Sequence, residues 1–392
     1  MKWLGEKPFH TLLLWTAKPA QWAAWQVAPL PLGLAAAAGC LWAKASGQPL
    51  FGWAVALGLL AFALADWGLL AALPRQGVSF GAVQPPWLGL VVLRWAVAML
   101  ALLLALHWPS PTLALLALIQ LLISGVGWYG TRIEPFRTQV TRLQVRTAKW
   151  PNPGSPVRIV QISDLHIERL TRRERALPAL AASLNPDLIV LTGDFLSTSY
   201  SDDPRALADL GTLLSQLQAP NGLFAVWGTR EVDLPAVLRP VLEKAGVVIL
   251  EDQALEVQVR GQSLWLAGLR CTRQAEAEER TLRTLLAQAP AEAVTVLLYH
   301  VPDLMPQASG LGVDLFLAGH THGGQWCVPG FGAILTSSRY WKRYEAGYYR
   351  QSHTHLYVSR GLGLEGFGAP RARFFCPPEV VSVTLVGTGG EG

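Results

Sequence analysis

Four apolar stretches fill the first third of this chain, at approximately 24–43, 51–73, 88–107 and 112–130. Each is long enough to cross a bilayer, which needs about 20 such residues. Only a helix or a closed barrel satisfies its backbone groups inside hydrocarbon, so a bundle of about four transmembrane helices is expected over 1–130. Trp25, Trp42, Trp53, Trp87, Trp108, Trp128 and Tyr129 fall near the ends of the stretches, as interfacial aromatic rings do. Pro29 and Pro31 interrupt the start of the first stretch and make it the weakest. Pro109 and Pro111 predict a tight turn between the third and fourth. Because apolar material continues through several spans, a cleaved signal peptide is not expected.

Charge orients the bundle. Lys2, Lys7 and Lys18 precede the first span, Arg75 lies between the second and third, and Arg132, Arg137, Arg142, Arg146 and Lys149 follow the fourth. Lys44 alone lies on the opposite side. The positive-inside rule then puts both ends in the cytoplasm of a multi-pass inner-membrane protein. The basic run reads as a membrane-surface feature, so the bilayer is an expected partner and nucleic acid is not. Asp66 and Arg94 lie inside spans two and three, at similar depth if the helices are antiparallel. An unpaired charge there is costly, so the two are expected to pair and to fix helix packing. A transporter reading would rest on this pair alone.

The remainder of the 392 residues has an ordinary soluble composition and must form at least one further domain. The expected division is a connector over 131–156, a folded domain over 157–386 and a flexible Gly-rich tail over 387–392, with Pro151-Asn152-Pro153-Gly154 as a turn. Cys40, Cys271, Cys327 and Cys376 form no CxxC pair, and buried free thiols in a reducing compartment are expected.

Short apolar runs alternate with amphipathic ones. Strands are expected at Val157–Ile162, Leu188–Leu191, Leu223–Trp227, Val294–Leu298 and Leu315–Leu317, then short strands to Leu385. Helices are expected at Arg172–Leu184, Pro204–Leu217, Pro235–Ala245 and Glu276–Ala289, and a hairpin at Leu255–Val259 and Leu264–Ala267. This is an α/β layered pattern. His353 and His355 read as one face of a strand, and Glu276, Glu278, Glu279, Arg280 and Arg283 as a solvated helix face. Ser197, Thr198 and Ser199 form a polar loop with no base for a serine nucleophile.

Six segments carry Asp, His and Gly just past these strands. They are Ser163-Asp164-Leu165-His166, Thr192-Gly193-Asp194, Gly228-Thr229-Arg230-Glu231, Tyr299-His300, Gly319-His320-Thr321-His322 and Gly323-Gly324-Gln325. Open α/β sheets place their sites at such strand ends. At an extended strand end, residues two apart point the same way, so Asp164 with His166, and His320 with His322, can converge on cations. Asp194 follows a Gly that permits a sharp turn and has two oxygens with which to bridge two ions; His300 adds an imidazole from a separate strand. Two cations about 3.5–4 Å apart would lower the pKa of a bridging water and clamp both oxygens of an in-line displacement at phosphorus.

As a set these segments resemble the calcineurin-like metallophosphoesterase superfamily, and its bacterial membrane-associated branch most. The likeness runs from about Val157 to Leu385 and includes Val358-Ser359-Arg360-Gly361-Leu362-Gly363 and Pro378-Glu379-Val380. The resemblance implies a four-layer α/β/β/α sandwich and two divalent metal ions, manganese, iron or zinc. Carried over by position, Asp164, His166, Asp194 and His322 would hold one metal, and Asp194, His300 and His320 the other.

One segment departs from the family pattern. Where the family has Gly-Asn-His followed by an acid, this chain has Gly228-Thr229-Arg230-Glu231. Thr229 is a weaker ligand for the second metal, which should bind less tightly. Arg230 can bind phosphate and stabilise charge but cannot donate a proton near neutral pH. Asp194 and Arg230 are thus the expected catalytic residues, with Arg230 and Arg371 or Arg373 as contacts to an anionic substrate, unless the latter two are surface charges. A leaving group that needs no protonation is favoured, as in a pyrophosphate. The expected protein is a membrane-anchored metal-dependent phosphoesterase acting on a phosphorylated small molecule or lipid. The likeness extends to diacylglucosamine pyrophosphohydrolases, which makes nucleotide-sugar lipids one option. The alternative is a non-catalytic metal- or phosphate-binding membrane protein.

Overall fold

A computed structural model describes residues 15–16, 18–150, 154–365 and 371–388. Lys2, Lys7, the turn residues Pro151-Asn152-Pro153 and the tail residues 389–392 lie outside the described residues. The chain divides into two compact units, Met1–Ile133 with Gly366–Ala372, and Glu134–Glu365 with Arg373–Gly392.

The first unit holds four long helices: α1 (Pro29–Ser46), α2 (Pro49–Ala71), α3 (Gln84–Ala105) and α4 (Pro109–Arg132). All four are long and apolar enough to cross a membrane. Proline sits in the first turn of each, where its missing N–H has no intrahelical partner to lose. Pro29 and Pro31 therefore start α1, with the short helix Ala24–Val27 before it. Pro109 and Pro111 likewise lie inside the first turn of α4 and are not a separate turn. Trp42 donates its indole N–H to the Ala98 carbonyl at 3.0 Å, and Trp87 to that of Ala63 at 2.6 Å.

Asp66 and Arg94 pair as expected. The Arg94 guanidinium forks onto both Asp66 oxygens at 2.7 and 2.8 Å. It also donates to the carbonyl and side-chain oxygens of Gln120 and to Ser124 Oγ. One buried guanidinium on α3 thus satisfies groups on α2 and α4 and ties the three helices together.

The second unit is a four-layer α/β/β/α sandwich. One sheet runs β1-β14-β2-β3-β4-β5, formed by β1 (Gln139–Thr147), β14 (Glu379–Gly387), β2 (Val157–Ile162), β3 (Leu188–Leu191), β4 (Leu223–Ala225) and β5 (Val247–Ile249). The other runs β12-β13-β9-β8-β7-β6, formed by β12 (Gly347–Gln351), β13 (Thr354–Val358), β9 (Leu315–Ala318), β8 (Val294–Leu298), β7 (Gln262–Gly268) and β6 (Gln253–Val259). A short ribbon pairs β10 (Cys327–Val328) with β11 (Gly332–Ala333). Between the sheets, Ile159, Leu188, Val190, Val381 and Val383 pack on Leu264, Val294, Val296, Leu315 and Leu317.

Helices α5 (Arg172–Ser183), α6 (Pro204–Leu214) and α7 (Pro235–Lys244) cover the outer face of the first sheet through Leu177, Leu210, Leu213, Leu238 and Leu242. Helices α8 (Ala275–Leu286) and α9 (Met305–Gly310) cover the second through Leu282, Leu285, Met305 and Ala308. Thr171 and Glu174 form a capping box that starts α5, and Asp203 caps α6 through the Ala206 N–H at 2.8 Å.

Three expectations change. The presumed connector contains β1, which pairs in parallel with β14 along its whole length. Its alternating charged residues mark a strand at the sheet edge, with one side wet. His353 lies in the turn before β13, and only His355 is in the strand, where it meets the Tyr348 hydroxyl at 2.7 Å. Glu278 is buried on α8, accepting from the Thr272 N–H at 2.9 Å and the Tyr299 hydroxyl at 2.7 Å.

Candidate metal centre

Parallel strands β2, β3 and β4 end side by side, and so do β8 and β9 in the facing sheet. The loops that leave these ends carry Asp164 and His166, Asp194, Thr229, His300, and His320 with His322. All of them except Thr229 are buried. They gather into two groups that share Asp194: Asp164, His166, Asp194 and His322, and Asp194, His300 and His320. Within each, one donor atom per residue lies within 4.8 Å of all the others.

In the first group His166 Nε2 is 3.0 Å from His322 Nε2 and 3.5 Å from Asp194 Oδ2, and His322 Nε2 is 3.5 Å from Asp164 Oδ1. In the second, His300 Nε2 is 3.2 Å from both Asp194 Oδ2 and His320 Nδ1. Thr229 Oγ1 joins this group at 3.3 Å from Asp194 Oδ2 and 3.4 Å from His300 Nε2. Imidazole nitrogens that face each other and a shared carboxylate suit an intervening divalent cation.

The backbone that aims these donors is not extended. Asp164, His166, Asp194, His320 and His322 all have positive φ, between 41° and 70°. Convergence of residues two apart therefore comes from left-handed turns beyond the strand ends, not from strand alternation. Such a conformation is unfavourable for side chains other than glycine and persists only where the surroundings impose it. Two glycines make room. A Cβ on Gly228 would collide with Asp194 Oδ1, and one on Gly319 with Asp164 Oδ2.

Hydrogen bonds fix the ring orientations. His300 Nδ1 is 2.7 Å from the Thr192 carbonyl and so donates there, leaving Nε2 to face Asp194. His166 Nδ1 lies 3.0 Å from Glu365 Oε2. Glu365 also accepts from the Thr198 N–H at 3.0 Å, which gives the polar loop at Ser197-Thr198-Ser199 a positioning role. Asp233, 1% exposed, accepts the N–H groups of Asp194, Phe195 and Gly228 at 2.9, 2.9 and 2.7 Å.

Proton affinities follow this crowding. Burial would raise Asp194, but His300 beside it holds it well below the usual carboxylate range. Burial would lower His300, but Asp194 outweighs it and raises the ring to about 9. Burial, with Arg273 and His300 for His320 and His166 for His322, keeps both of these imidazoles neutral. Burial and the Asp194 charge push Asp233 up to about 7.

The remaining expected residues divide. Arg230 is exposed on the loop after β4 and makes no hydrogen bond or ion pair among the described residues. Arg371 groups with the helical unit, its guanidinium against Gly81. Arg373 is neither a surface charge nor open to a ligand. It is fully buried and donates to the carbonyls of Arg360, Gly361, Gly363 and Cys376. Glu379 ties the ends of β1, β13 and β14 by accepting from Thr141 Oγ1 at 2.7 Å, Tyr357 Oη at 3.1 Å and the Arg360 N–H at 2.7 Å.

Sequence reading missed three residues. Asp233, not the exposed Glu231, is the acid that holds the third segment; its place two residues past the motif was the available signal. Glu365 follows the Gly361-Leu362-Gly363 run by two residues. Arg273, on the loop between β7 and α8, lies 3.0 Å from His320 Nε2, and no spacing announced it.

The calcineurin-like phosphoesterase family model matches residues 157–324. The chain is 30% identical over 278 residues to the metallophosphoesterase YkuE of Bacillus subtilis, covering 68% of this chain and 92% of that protein. It is 29% identical over 254 residues to the phosphodiesterase YaeI of Escherichia coli, covering 62% and 86% respectively. Against the UDP-2,3-diacylglucosamine pyrophosphatase LpxG of Chlamydia muridarum the identity is 26% over 306 residues, covering 64% and 90%.

Proposed function

The chain belongs to the calcineurin-like metallophosphoesterase family, and from that premise we propose that it is a membrane-anchored hydrolase of a phosphodiester or pyrophosphate, lipid-linked or carried near the bilayer. One observation carries the reading: Asp194 Oδ2 lies 3.2 Å from His300 Nε2 and 3.5 Å from His166 Nε2, so a single carboxylate serves both donor groups.

Asp164, His166, Asp194 and His322 would hold one divalent cation, and Asp194, His300, His320 and Thr229 the other. When bound, the pair supplies an acidified water and neutralises charge on the phosphorus oxygens. The chain's own residues set the geometry. Asp233 locks the loop of Asp194 to that of Gly228, and Glu365 and the Thr192 carbonyl orient His166 and His300. Arg230 offers a cation at the rim and no proton, so leaving groups that depart as stable anions are favoured. That fits a pyrophosphate better than a simple alkyl ester, and the named activity of LpxG supports the same class.

Membrane attachment rests on the four helices of sufficient length and hydropathy. Lys18 and Arg75 flank one side of the bundle, the basic run from Arg132 to Lys149 follows α4, and Lys44 ends α1 on the other side. This asymmetry supports a cytoplasmic second unit.

The test is manganese-dependent hydrolysis of bis-(p-nitrophenyl) phosphate by the purified chain, with Asp194→Ala as control. Turnover above the control is expected. Equal rates would replace the hydrolase with a metal- or phosphate-binding protein, a reading favoured by the loss of the family Asn-His at Thr229 and Arg230. A reporter fused to the C-terminus should be active only as a cytoplasmic enzyme; export would overturn the orientation.

A further inference from the structure

We propose that the ribbon of β10 and β11, with the loop that follows it to Arg343, docks on an anionic bilayer surface and opens the metal centre towards the lipid headgroups. The proposal rests on the membrane-anchored reading of the chain.

The second unit shows its large apolar side chains to solvent mainly in one region. Among its described residues, Val328, Phe331, Ile334, Leu335, Trp341 and Phe375 are each 45–56% exposed, and only Val248 and Tyr348 join them from elsewhere. Scattered exposed apolar residues need no explanation, but a contiguous set marks a surface that meets a partner or a membrane. Backbone pairing makes this set contiguous. Cys327 pairs with Ala333 across the ribbon, and the Cys327 N–H donates to the Phe374 carbonyl at 2.8 Å, which brings Phe375 alongside. Lys342 lies 3.8 Å from the centre of the Phe331 ring and donates to the Phe331 and Ala333 carbonyls, which fixes the ribbon tip beside Trp341.

Charge selects the partner. From Trp326 to Tyr344 the chain carries Arg339, Lys342 and Arg343 and no acidic residue. Tryptophan and phenylalanine set among arginine and lysine suit the headgroup level of an anionic leaflet. Topology agrees. β1 runs parallel to β14 from Gln139 opposite Glu379, and β14 runs antiparallel to β2 with Val381 opposite Gln161. The chain that leaves α4 therefore enters the second unit at the end of the sheet where Asp164 follows β2. The ribbon is rooted at the same end. It leaves directly from Gly323-Gly324-Gln325, and Ser337 Oγ, beyond it, donates to the His320 carbonyl at 2.9 Å. Chain entry, metal centre and apolar-basic surface thus share one end of the sandwich. A surface docked there brings the centre to the headgroup layer, so that a lipid-linked phosphate reaches it without leaving the bilayer.

The experiment uses the full chain, reconstituted in liposomes of phosphatidylcholine with or without phosphatidylglycerol. The photoreactive amino acid benzoylphenylalanine replaces Phe331 or, as control, the exposed Val248 on edge strand β5. After illumination, intact-mass spectrometry counts lipid adducts. Adducts at 331 should exceed those at 248, and phosphatidylglycerol should raise them. Arg343→Gln should lower them about fivefold in the anionic liposomes, the effect of one basic residue at such a surface. Equal counts at the two positions, or adducts at 331 to a second copy of the chain, would overturn the docking. Counts that neither phosphatidylglycerol nor Arg343→Gln changes would overturn the anionic partner. If alkaline carbonate strips the chain from the liposomes, the anchored reading fails and this proposal fails with it. If the chain is retained and the two positions match, the docking alone fails. The adducts do not depend on turnover, so a chain that docks through 331 and hydrolyses nothing removes the hydrolase and keeps the docking.

Discussion

Asp233 holds Asp194 by its backbone: one carboxylate oxygen accepts the N–H groups of both Asp194 and Gly228, at 2.9 and 2.7 Å, and the other accepts that of Phe195. The loops after β3 and β4 are thereby joined through an acid that is not itself among the candidate ligands. Asp233→Asn keeps the shape but turns an NH2 group toward one of these N–H donors. A buried donor without a partner costs about 1–3 kcal/mol. Loss of a supporting hydrogen bond behind a ligand typically lowers metal affinity about 10–100-fold. Thermal unfolding of the metal-free protein should therefore begin earlier, and a manganese titration should shift to higher concentration. If neither changes, the loops are held by other means.

His300 gives the site a pH dependence whose sign follows from its neighbours. Burial disfavours its charged form, but Asp194 at 3.2 Å outweighs that and raises the ring to about 9. Below that pH the metal-free ring carries a proton that a cation must displace. Metal affinity at the second group should rise by about tenfold per pH unit from 7 towards 9 and then level off. Calorimetry in buffers of different ionisation enthalpy should show about one proton released per second metal at pH 7. Affinity independent of pH over this range would mean that His300 binds as an already neutral ring.

Thr229 places a hydroxyl where an amide oxygen would reach further. Its Oγ1 lies 3.3 Å from Asp194 Oδ2, 3.4 Å from His300 Nε2 and 3.5 Å from His320 Nδ1. Thr229→Asn should tighten the second metal by about tenfold, on the scale of other ligand-sphere changes. Adding Arg230→His should raise turnover of substrates with poor leaving groups more than of those with good ones, since a general acid contributes about 10²–10⁴-fold. If the double variant is slower on every substrate, Arg230 has a role of its own in the reaction.

The convergence of the candidate ligands was legible in the sequence because each follows an apolar strand and each residue type has coordination chemistry of its own. Asp164, His166, Asp194, His300, His320 and His322 needed only the rule that loops at parallel strand ends converge. The left-handed backbone of five of them, all but His300, was not legible, because only glycine advertises a positive φ and none of the five is glycine. Asp233 and Glu365 act through hydrogen bonds to backbone or to another ligand, which leave no spacing pattern. Arg273 reaches His320 across 47 residues of chain from another loop, a pairing set by packing of the second sheet. β1 was hidden because a wet edge strand alternates like an exposed linker, and its partner lies at the far end of the chain. The Asp66–Arg94 pair was legible because hydrocarbon makes the alternative too costly.

That pair gives a prediction that separates a structural knot from a conducting path. Arg94, 1% exposed, meets Asp66, Gln120 and Ser124 through short hydrogen bonds that use its whole fork. Removing one charge strands the other in an apolar bundle, at a cost of about 3–5 kcal/mol for a buried pair. Arg94→Ala should therefore lower the unfolding midpoint of the detergent-solubilised chain sharply. The double variant Asp66→Leu with Arg94→Met leaves no stranded charge and fills the space with apolar atoms, so it should recover most of that loss. Gln120 keeps its bond to the Arg94 backbone carbonyl in both variants but loses the guanidinium that donates to its side-chain oxygen, which limits the recovery. Phosphodiester hydrolysis by the double variant, measured per folded molecule, should match wild type, because the pair lies in the helical unit and no candidate ligand does. A double variant as stable as wild type but unable to hydrolyse would instead give the pair a part in the reaction.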